Sequence, residues 1–415
     1  MSKLISMGQK AKEASYELGA ASINEKNNAL LFMAEELINA KDEIMEVNKI
    51  DLKNSEAKGT SKPMLQRLAL SEKTINEMAE GLREVANLQD PVGEVVSMWQ
   101  RPNGLQIGQK RVPIGVIGII YESRPNVTCD AAGLCLKTGN ACILKGGSDA
   151  INSNKAIIKA LAKGIERAGL PKESVQLIED TSRETVNEMM KLDEYIDVLI
   201  PRGGAGLIQS VVKNATVPVI QTGTGNCHIY IDESCDFNMA VDIAVNAKVQ
   251  KPSACNAAEK LLINEKIAKD FLPLAVKALR ENGVTLRGDK AAQVIIDDIE
   301  NASDDDWSTE YLDYVMAVKI VKDVDEAIAH INRYGTGHSE AIITESYKNS
   351  QKFLQRVDAA AVYVNASTRF TDGGQFGFGA EIGISNQKLH ARGPMGLKEL
   401  TTIKYIIYGN GQIRE

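Results

Sequence analysis

The chain has 415 residues, more than one hydrophobic core normally organises, so two or more domains are expected. With 44% hydrophobic and 25% charged residues it has the balance of an ordinary globular protein, and a net charge of −7 without a long basic run argues against a nucleic-acid surface. No apolar stretch reaches membrane-spanning length, and Met1–Lys10 turns polar too early for a secretion signal. The cysteines at 129, 135, 142, 227, 235 and 255 include no C-x-x-C pair, and the histidines are scattered. No metal site is therefore predicted, and a cytoplasmic protein with reduced thiols is expected.

Residues 2–90 read as helices. Ser22-Ile-Asn-Glu25 has the form of a capping box ahead of Ala29, Leu30, Leu31, Met33, Ala34, Leu37 and Ile38, an apolar stripe at helical spacing. Ser71 precedes a similar run with Ile75, Met78, Ala79, Leu82 and Val85. These stripes face a core and show no catalytic groups. From Met98 to Val112, two polar extended arms flank an Asn103-Gly104 turn, a hairpin that reaches out of a domain. The strand-like Leu400–Tyr408 is suited to pair with it.

From Val112 onward strand and helix alternate. Strands are expected at 112–121, 141–145, 175–178, 196–200, 217–221 and 228–232, with a clear helix at 149–168. The alternation predicts an α/β fold with a mostly parallel sheet covered on both faces and ligands at the carboxyl ends of its strands. Two strand ends carry glycine, Lys145-Gly-Gly-Ser148 and Pro201-Arg-Gly-Gly-Ala-Gly206. They either let a pyrophosphate approach a helix start or are plain strand-to-helix turns. A second unit follows: helix 237–249, a loop, strand 260–264, helix 265–281, strand 315–321 and helix 324–333. Asp304-Asp-Asp-Trp307 reads as a solvated loop, because three adjacent carboxylates cannot converge on one ion. The glycine-rich, non-repetitive Asn365–Glu381 reads as an ordered loop that wraps a ligand or another backbone.

Reactive chemistry concentrates in Asn246–Glu259. Cys255 follows Pro252 and precedes an apolar strand, so a polar loop between two regular elements presents its sulfur to a cleft. By residue type alone it is either a small core residue or a nucleophile. Lys248 and Lys251 are neighbouring cations that would favour a thiolate, and no histidine is near in the chain.

From Val112 almost to its end the chain resembles the aldehyde dehydrogenase superfamily. Pro113–Ile120 is similar to the entry strand of that family, Thr138-Gly-Asn140 with Ile143–Gly147 to its A-x-G-N…K-P-S-E stretch, and Val321–Ile328 with Arg333-Tyr-Gly335 to its D-x-x-E-A-I and Y-G-L segments. Glu122-Ser-Arg-Pro-Asn-Val-Thr128, Val249-Gln-Lys-Pro-Ser-Ala-Cys-Asn256 and Gln387-Lys-Leu-His-Ala-Arg-Gly-Pro-Met-Gly396 resemble the branch that reduces an acyl phosphate, L-glutamyl 5-phosphate, in proline biosynthesis.

The resemblance implies a Rossmann-type cofactor domain (1–97, 118–227 and 360–388), an α/β catalytic domain (228–359) and an oligomerisation arm (98–117 and 389–415). It makes Cys255 the nucleophile and Lys145, Gly146, Gly147, Ser148, Gly203, Gly204 and Glu310 the cofactor contacts. Ser148 stands where NAD-preferring members carry a glutamate that would repel a 2′-phosphate, so NADP(H) is implied. Asn126 either completes an oxyanion hole with the Cys255 N–H or caps the following helix. Arg124, Arg369 and His390, with Arg392 behind them, are candidates for the charges of the substrate, or are surface residues. Hydrolytic members carry a water-activating glutamate where this chain has Ile220-Gln-Thr-Gly-Thr-Gly-Asn226, which lacks a carboxylate. The implied reaction is NADPH-dependent reduction through a Cys255 thioester, in a homo-oligomer that can dock with glutamate 5-kinase. A hydrolytic NAD(P)-dependent aldehyde dehydrogenase is the first alternative, marked by a carboxylate within reach of the sulfur. A catalytically silent scaffold is the second, marked by an unreactive Cys255 and no nucleotide binding.

Overall fold

The capping signals of the N-terminal region hold in the computed structural model, which describes residues 3–122 and 124–414; Ser123, inside the Glu122–Thr128 stretch, lies outside them. Helix Ile23–Asn39 starts on the Ser22–Glu25 capping box, with Ser22 N donating to Glu25 Oε2 at 2.7 Å. Helix Glu72–Asn87 starts at Ser71, whose Oγ accepts from Thr74 N at 3.2 Å. Of the expected stripes, Ala29, Leu30, Met33, Ala34 and Leu37 on the first helix and Ile75, Met78, Ala79, Leu82 and Val85 on the second are buried, whereas Leu31 is exposed and Ile38 half-buried.

Two compact units divide the chain. The first comprises residues 1–221, 377–383 and 395–415. Its hairpin is β1 (Val95–Gln100) and β2 (Gln106–Pro113), antiparallel. Next come β3 (Val116–Tyr121), β4 (Ala141–Lys145), β5 (Val175–Leu177) and β6 (Val198–Arg202), an all-parallel sheet in the order β5-β4-β3-β6. The strand expected over 112–121 is thus two strands. The chain leaves the hairpin at Gly115, φ +131°, where a Cβ would fall 2.2 Å from Asp197 Oδ2. That carboxylate accepts from Val116 N at 2.7 Å and pairs with Lys12 at 2.8 Å, which pins the break. The strand expected at 217–221 reduces to one bridge, Leu199 with Val219. Pro218 has no N–H to extend the ladder.

The second unit comprises residues 222–376 and 384–394. It holds β7 (Cys227–Ile231), β8 (Ala258–Asn264), β9 (Thr285–Gly288), β10 (Glu300–Asn301), β11 (Val315–Val321), β12 (Ser339–Ile343) and β13 (Ala361–Val364), all parallel in the order β10-β9-β11-β8-β7-β12-β13. Both faces of such a sheet are covered, which is why every residue of β8 is buried. Ile229, Leu261, Phe271, Leu279, Val318 and Ile343 belong to its core. Residues 360–376, expected with the cofactor part, lie here because β13 pairs with β12. Residues 389–394, expected in the arm, lie here too, since β14 (Ile384–Ser385) pairs with β15 (Gly393–Pro394). The last strand, β16 (Thr401–Tyr408), returns to the first unit and pairs antiparallel with β2, as its pattern predicts.

Asp304–Trp307 is not a solvated loop. It is a 3₁₀ turn with Asp306 and Trp307 buried. Burial opposes charge on Asp306, yet hydrogen bonds from Tyr311, Ser303 and Arg287 outweigh it and hold the carboxyl well below the usual range. Among the described residues no helix is long and apolar enough to cross a membrane.

Helix Ile151–Arg167 packs against helix Ile23–Asn39 so closely at Gly164 that a Cβ there would fall 2.4 Å from Met33 N. Backbone, unlike a side-chain tip, cannot swing away. Gly164→Ala is expected to destabilise the protein by about 2 kcal/mol or more despite the better helix propensity of alanine, read as a lowered denaturation midpoint.

Candidate active site

Cys255 occupies the turn between helix Phe237–Val249 and β8 and is half-buried. Cys129, Cys135, Cys142 and Cys227 are buried. Burial pushes the Cys129 and Cys227 thiols well up and that of Cys235 up to about 11.

The turn is immobilised from several directions within the second unit. At its base Lys248 Nζ meets Glu259 Oε2 at 2.8 Å, both side chains at 0% exposure. Lys248 is thereby committed to a carboxylate rather than presented to the sulfur, while Lys251 is exposed. Burial drives the pKa of Lys248 down and that of Glu259 up, against their mutual attraction. Beside Cys255, Asn256 Nδ2 donates to Thr371 O at 2.8 Å and Arg369 O at 3.3 Å, and Thr368 Oγ1 donates to Asn256 O at 2.7 Å. The segment after Asn365 thus packs, through Thr368–Thr371, on another part of the chain, Asn256 beside Cys255. The Cys255 carbonyl accepts from Cys227 Sγ at 3.2 Å. It also rests on Gly225, where a Cβ would fall 1.4 Å from the oxygen. Gly225 N in turn donates to Glu310 Oε1 at 2.6 Å, and Glu259 Oε1 accepts from Leu312 N at 3.2 Å.

These groups precede β7, β8 and β11, at the amino ends of neighbouring parallel strands. The glycine turns of the first unit instead follow the carboxyl ends of β4 and β6. There Lys145 is buried, its Nζ donates to Gly146 O at 3.2 Å, and burial lowers its pKa against the pull of Asp180. A Cβ at Gly146 would fall 2.3 Å from Asn154 Nδ2, a buried amide nitrogen without a hydrogen-bond acceptor. Gly147 is half-buried and Ser148 exposed, as are Gly203 and Gly204. A side-chain-free cradle, a buried cation and an unsatisfied donor fit a phosphorylated nucleotide. At the second turn Gly204 N, at the start of helix Ala205–Asn214, donates to Glu122 Oε2 at 2.9 Å.

Asn126 is the second residue of helix Pro125–Lys137 and does not cap it. Its Nδ2 donates to Asp130 Oδ2 at 3.2 Å. Burial raises the Asp130 carboxyl to about 6, with Asn126 and Arg202 opposing. Arg124 is exposed at the N-cap of that helix, and His390 is exposed at φ +63°. Arg392 is committed to Asp358 at 2.7 Å, beside Lys388. Cys255, Glu310, Arg369 and His390 fall in one unit, Arg124, Asn126, Lys145–Ser148, Gly203 and Gly204 in the other.

Gly225, Cys227, Asn256 and the Lys248–Glu259 pair are the site residues that sequence reasoning passed over. A charged Glu-Lys step opening the apolar β8, eleven residues after Lys248, was the available signal for the pair. Nothing in T-G-T-G-N singles out its second glycine.

A profile of the Aldehyde dehydrogenase family matches residues 3–295 and 292–406. The chain is 76% identical over 414 residues to the γ-glutamyl phosphate reductase of Clostridium beijerinckii, covering 100% of both chains. The crystal structure of γ-glutamyl phosphate reductase from Thermotoga maritima superposes with a TM-score of 0.98 at 54% identity, again over 100% of both chains. An acetylating aldehyde dehydrogenase from Geobacillus thermoglucosidasius shares the fold at 21% identity, TM-score 0.70, over 100% of this chain and 98% of its own.

Gly225→Ala is expected to push the Cys255 carbonyl out of place. Turnover should fall by about a hundredfold or more, since a displacement of about an ångström at a reacting group costs on that order, and any loss of nucleotide binding should come through Glu310, whose carboxylate Gly225 N holds. Steady-state kinetics beside a nucleotide titration checks it.

Proposed function

The chain belongs to the aldehyde dehydrogenase family and, within it, to the γ-glutamyl phosphate reductases, and from that premise we propose that it reduces L-glutamyl 5-phosphate to L-glutamate 5-semialdehyde, the second step of proline biosynthesis from glutamate. The observation that carries the reading is the clamped Cys255 turn, which holds a half-buried thiol on an immobilised backbone. In the proposed reaction the Cys255 thiolate attacks the acyl carbon, the carbon–oxygen bond to phosphate breaks, and inorganic phosphate departs with the electron pair. The Cys255 N–H donates to the oxyanion, and Asn126, its amide fixed by Asp130, is our candidate for a second donor. The resulting thioester is reduced to a hemithioacetal, whose collapse frees the aldehyde and returns the thiol.

Lys145, Gly146, Gly147, Ser148, Gly203, Gly204 and Glu310 are the residues we assign to the cofactor, NADP(H). Bound there, a reduced nicotinamide supplies the hydride for the thioester carbonyl. The Glu122 carboxylate on Gly204 N would have to yield that N–H to a phosphate oxygen. Arg124, Arg369 and His390 remain the candidates for substrate charges. The proposal extends to a cytoplasmic homo-oligomer formed through the arm, where Val95, Met98, Trp99, Tyr405 and Ile407 are solvent-exposed, and to docking with glutamate 5-kinase.

One observation bears on the hydrolytic alternative. Gly223–Gly225 has no carboxylate of its own, but Glu310 stands on it with Oε1 committed to Gly225 N at 2.6 Å. Phosphate, already ionised at neutral pH, attacks a thioester without a base, whereas water needs one. Oxidation of glutamate semialdehyde with NADP should therefore depend on added phosphate, with arsenate substituting. In phosphate-free buffer NADPH should appear as a burst of about one equivalent per site and then slow greatly. Steady, phosphate-independent NADPH formation in a stopped-flow trace, with glutamate as product, would establish the hydrolytic reading instead.

Cofactor choice has a separate test. Ser148→Glu is expected to weaken NADPH binding roughly tenfold to a hundredfold relative to NADH, the equivalent of about 1–3 kcal/mol of charge repulsion. The ratio of the two dissociation constants by fluorescence titration reads it. An unchanged ratio would put the 2′-phosphate elsewhere.

A further inference from the structure

A thiol nucleophile needs a nearby positive charge to ionise at neutral pH, since its ordinary pKa is about 8.5. Neither lysine close to it in the chain is held against the sulfur: Lys248 is buried against Glu259, and Lys251 is exposed. Arg369 comes from the 3₁₀ turn Thr368–Phe370, more than a hundred residues away. The Asn256 side chain and the Thr368 hydroxyl strap that turn to the residue next to Cys255. Arg369 Nε donates to Gln250 Oε1 at 2.8 Å, so its side chain runs from the Asn256 end of the nucleophile turn back to the start of that turn.

We propose that Arg369 is the cation that keeps Cys255 ionised, held across the nucleophile turn by Gln250 at one end and by Asn256 at the other. This rests on Cys255 being the nucleophile, but assigns Arg369 a task that precedes substrate. Burial pulls the Arg369 guanidinium pKa down, and the Cys255 sulfur, Asp372 and Cys227 pull it back up. That is the reciprocal of stabilising a thiolate.

The other ionisable groups around the turn are already committed. Asp372 Oδ1 accepts from Gly374 N and Gln375 N at 2.9 and 3.2 Å, so its charge is shared with its own turn. Burial keeps Cys227 a neutral thiol, with His338 Nδ1 3.9 Å from its sulfur. Glu310 is taken up by Gly225 N, and Lys248 with Glu259 neutralise one another. A guanidinium suits the role because it stays charged throughout the working pH range and its fork keeps further N–H groups when Nε bonds Gln250.

The test is alkylation of the substrate-free enzyme with iodoacetamide between about pH 5 and 9, with the Cys255 peptide followed by mass spectrometry. Arg369→Gln should move the profile up by about one pH unit, so that alkylation at neutral pH slows roughly tenfold. Arg369→Lys should retain most of the wild-type profile, and high salt should move wild type towards Arg369→Gln. A structural or substrate-binding role alone would leave the profile in place, and superimposable wild-type and Arg369→Gln curves overturn the proposal. Should Arg369→Gln fail to fold, as judged by thermal unfolding and NADPH binding, Gln250→Leu releases the guanidinium from its tether. That variant should give a smaller upward shift, and no shift would equally overturn the idea. Cys255→Ala keeps the two readings apart: sustained turnover by that variant sinks the nucleophile assignment itself, whatever the profiles show.

Discussion

The second unit depends on one buried ion pair. Lys248 and Glu259 give up water completely, which costs several kcal/mol per charge, and their contact at 2.8 Å offsets that cost only while both partners are present. The pair joins the last turn of helix Phe237–Val249 to the second residue of β8, so the intervening turn that carries Cys255 has both ends fixed. Glu259 also accepts from Leu312 N, and Leu312 sits at φ +55°, a conformation that costs a leucine on the order of 1 kcal/mol. The bond holds that strained residue in place and with it Glu310, two positions earlier. Glu310 reaches Gly225 N, and Gly225 lies under the Cys255 carbonyl. A buried salt bridge adds little net stability. Its effect here is to give Cys255 one position.

Topology explains how residues 225, 255 and 310 meet. The strands β11, β8, β7 and β12 are consecutive in the sheet and parallel. Cys227 aligns with Ala258, Ala317 with Lys260, and Glu340 with His228. Parallel neighbours in register begin on the same edge, so the segments that lead into them converge there however far apart they lie in the chain. Cys255 leads into β8, Gly225 into β7, Glu310 into β11 and His338 into β12. Ligands of open α/β sheets commonly gather at carboxyl ends, as the glycine turns after β4 and β6 do. The nucleophile's unit gathers its groups at the opposite edge. There the chain enters the strands through turns, where small residues such as Gly225 permit close backbone contact.

Local signals in the sequence were sufficient wherever one segment determined its own structure. Ser22–Glu25 and Ser71 capped the helices they announced, helix 237–249 and strand 315–321 have the expected bounds, and β16 found β2. Cys255 could be picked out as a thiol in a turn between regular elements. Expectations failed where a distant partner decided the outcome. Gly115 breaks the 112–121 run because Asp197 fills the space beside it, and Asp306 is buried because Arg287 and Tyr311 converge on it. Residues 360–376 follow β12 because a strand belongs to the sheet that supplies its ladder. The clamp on the nucleophile is of the same kind. Gly225, Asn256 and Arg369 act through contacts with residues up to 119 positions apart, which no periodicity or spacing encodes.

In the proposed reaction the same clamp bears on what can follow acylation of Cys255. A group that activates water must take a proton from it, so its lone pair has to be available and its pKa matched to the task. The loop from Ile220 to Asn226 offers backbone and hydroxyls instead. The carboxylate that stands on it, Glu310, accepts a short bond from an amide N–H, which directs that oxygen at the protein rather than at solvent. Gly225 cannot turn away to release it without disturbing the Cys255 carbonyl against which it is pressed. A base at this position would need mobility, whereas the nucleophile needs the loop to stay still. Fixing the thiol and activating water thus make opposite demands on one short segment, and in this chain the contacts satisfy the first. Such a site is suited to acceptors that bring no proton to remove, hydride in one direction and phosphate in the other.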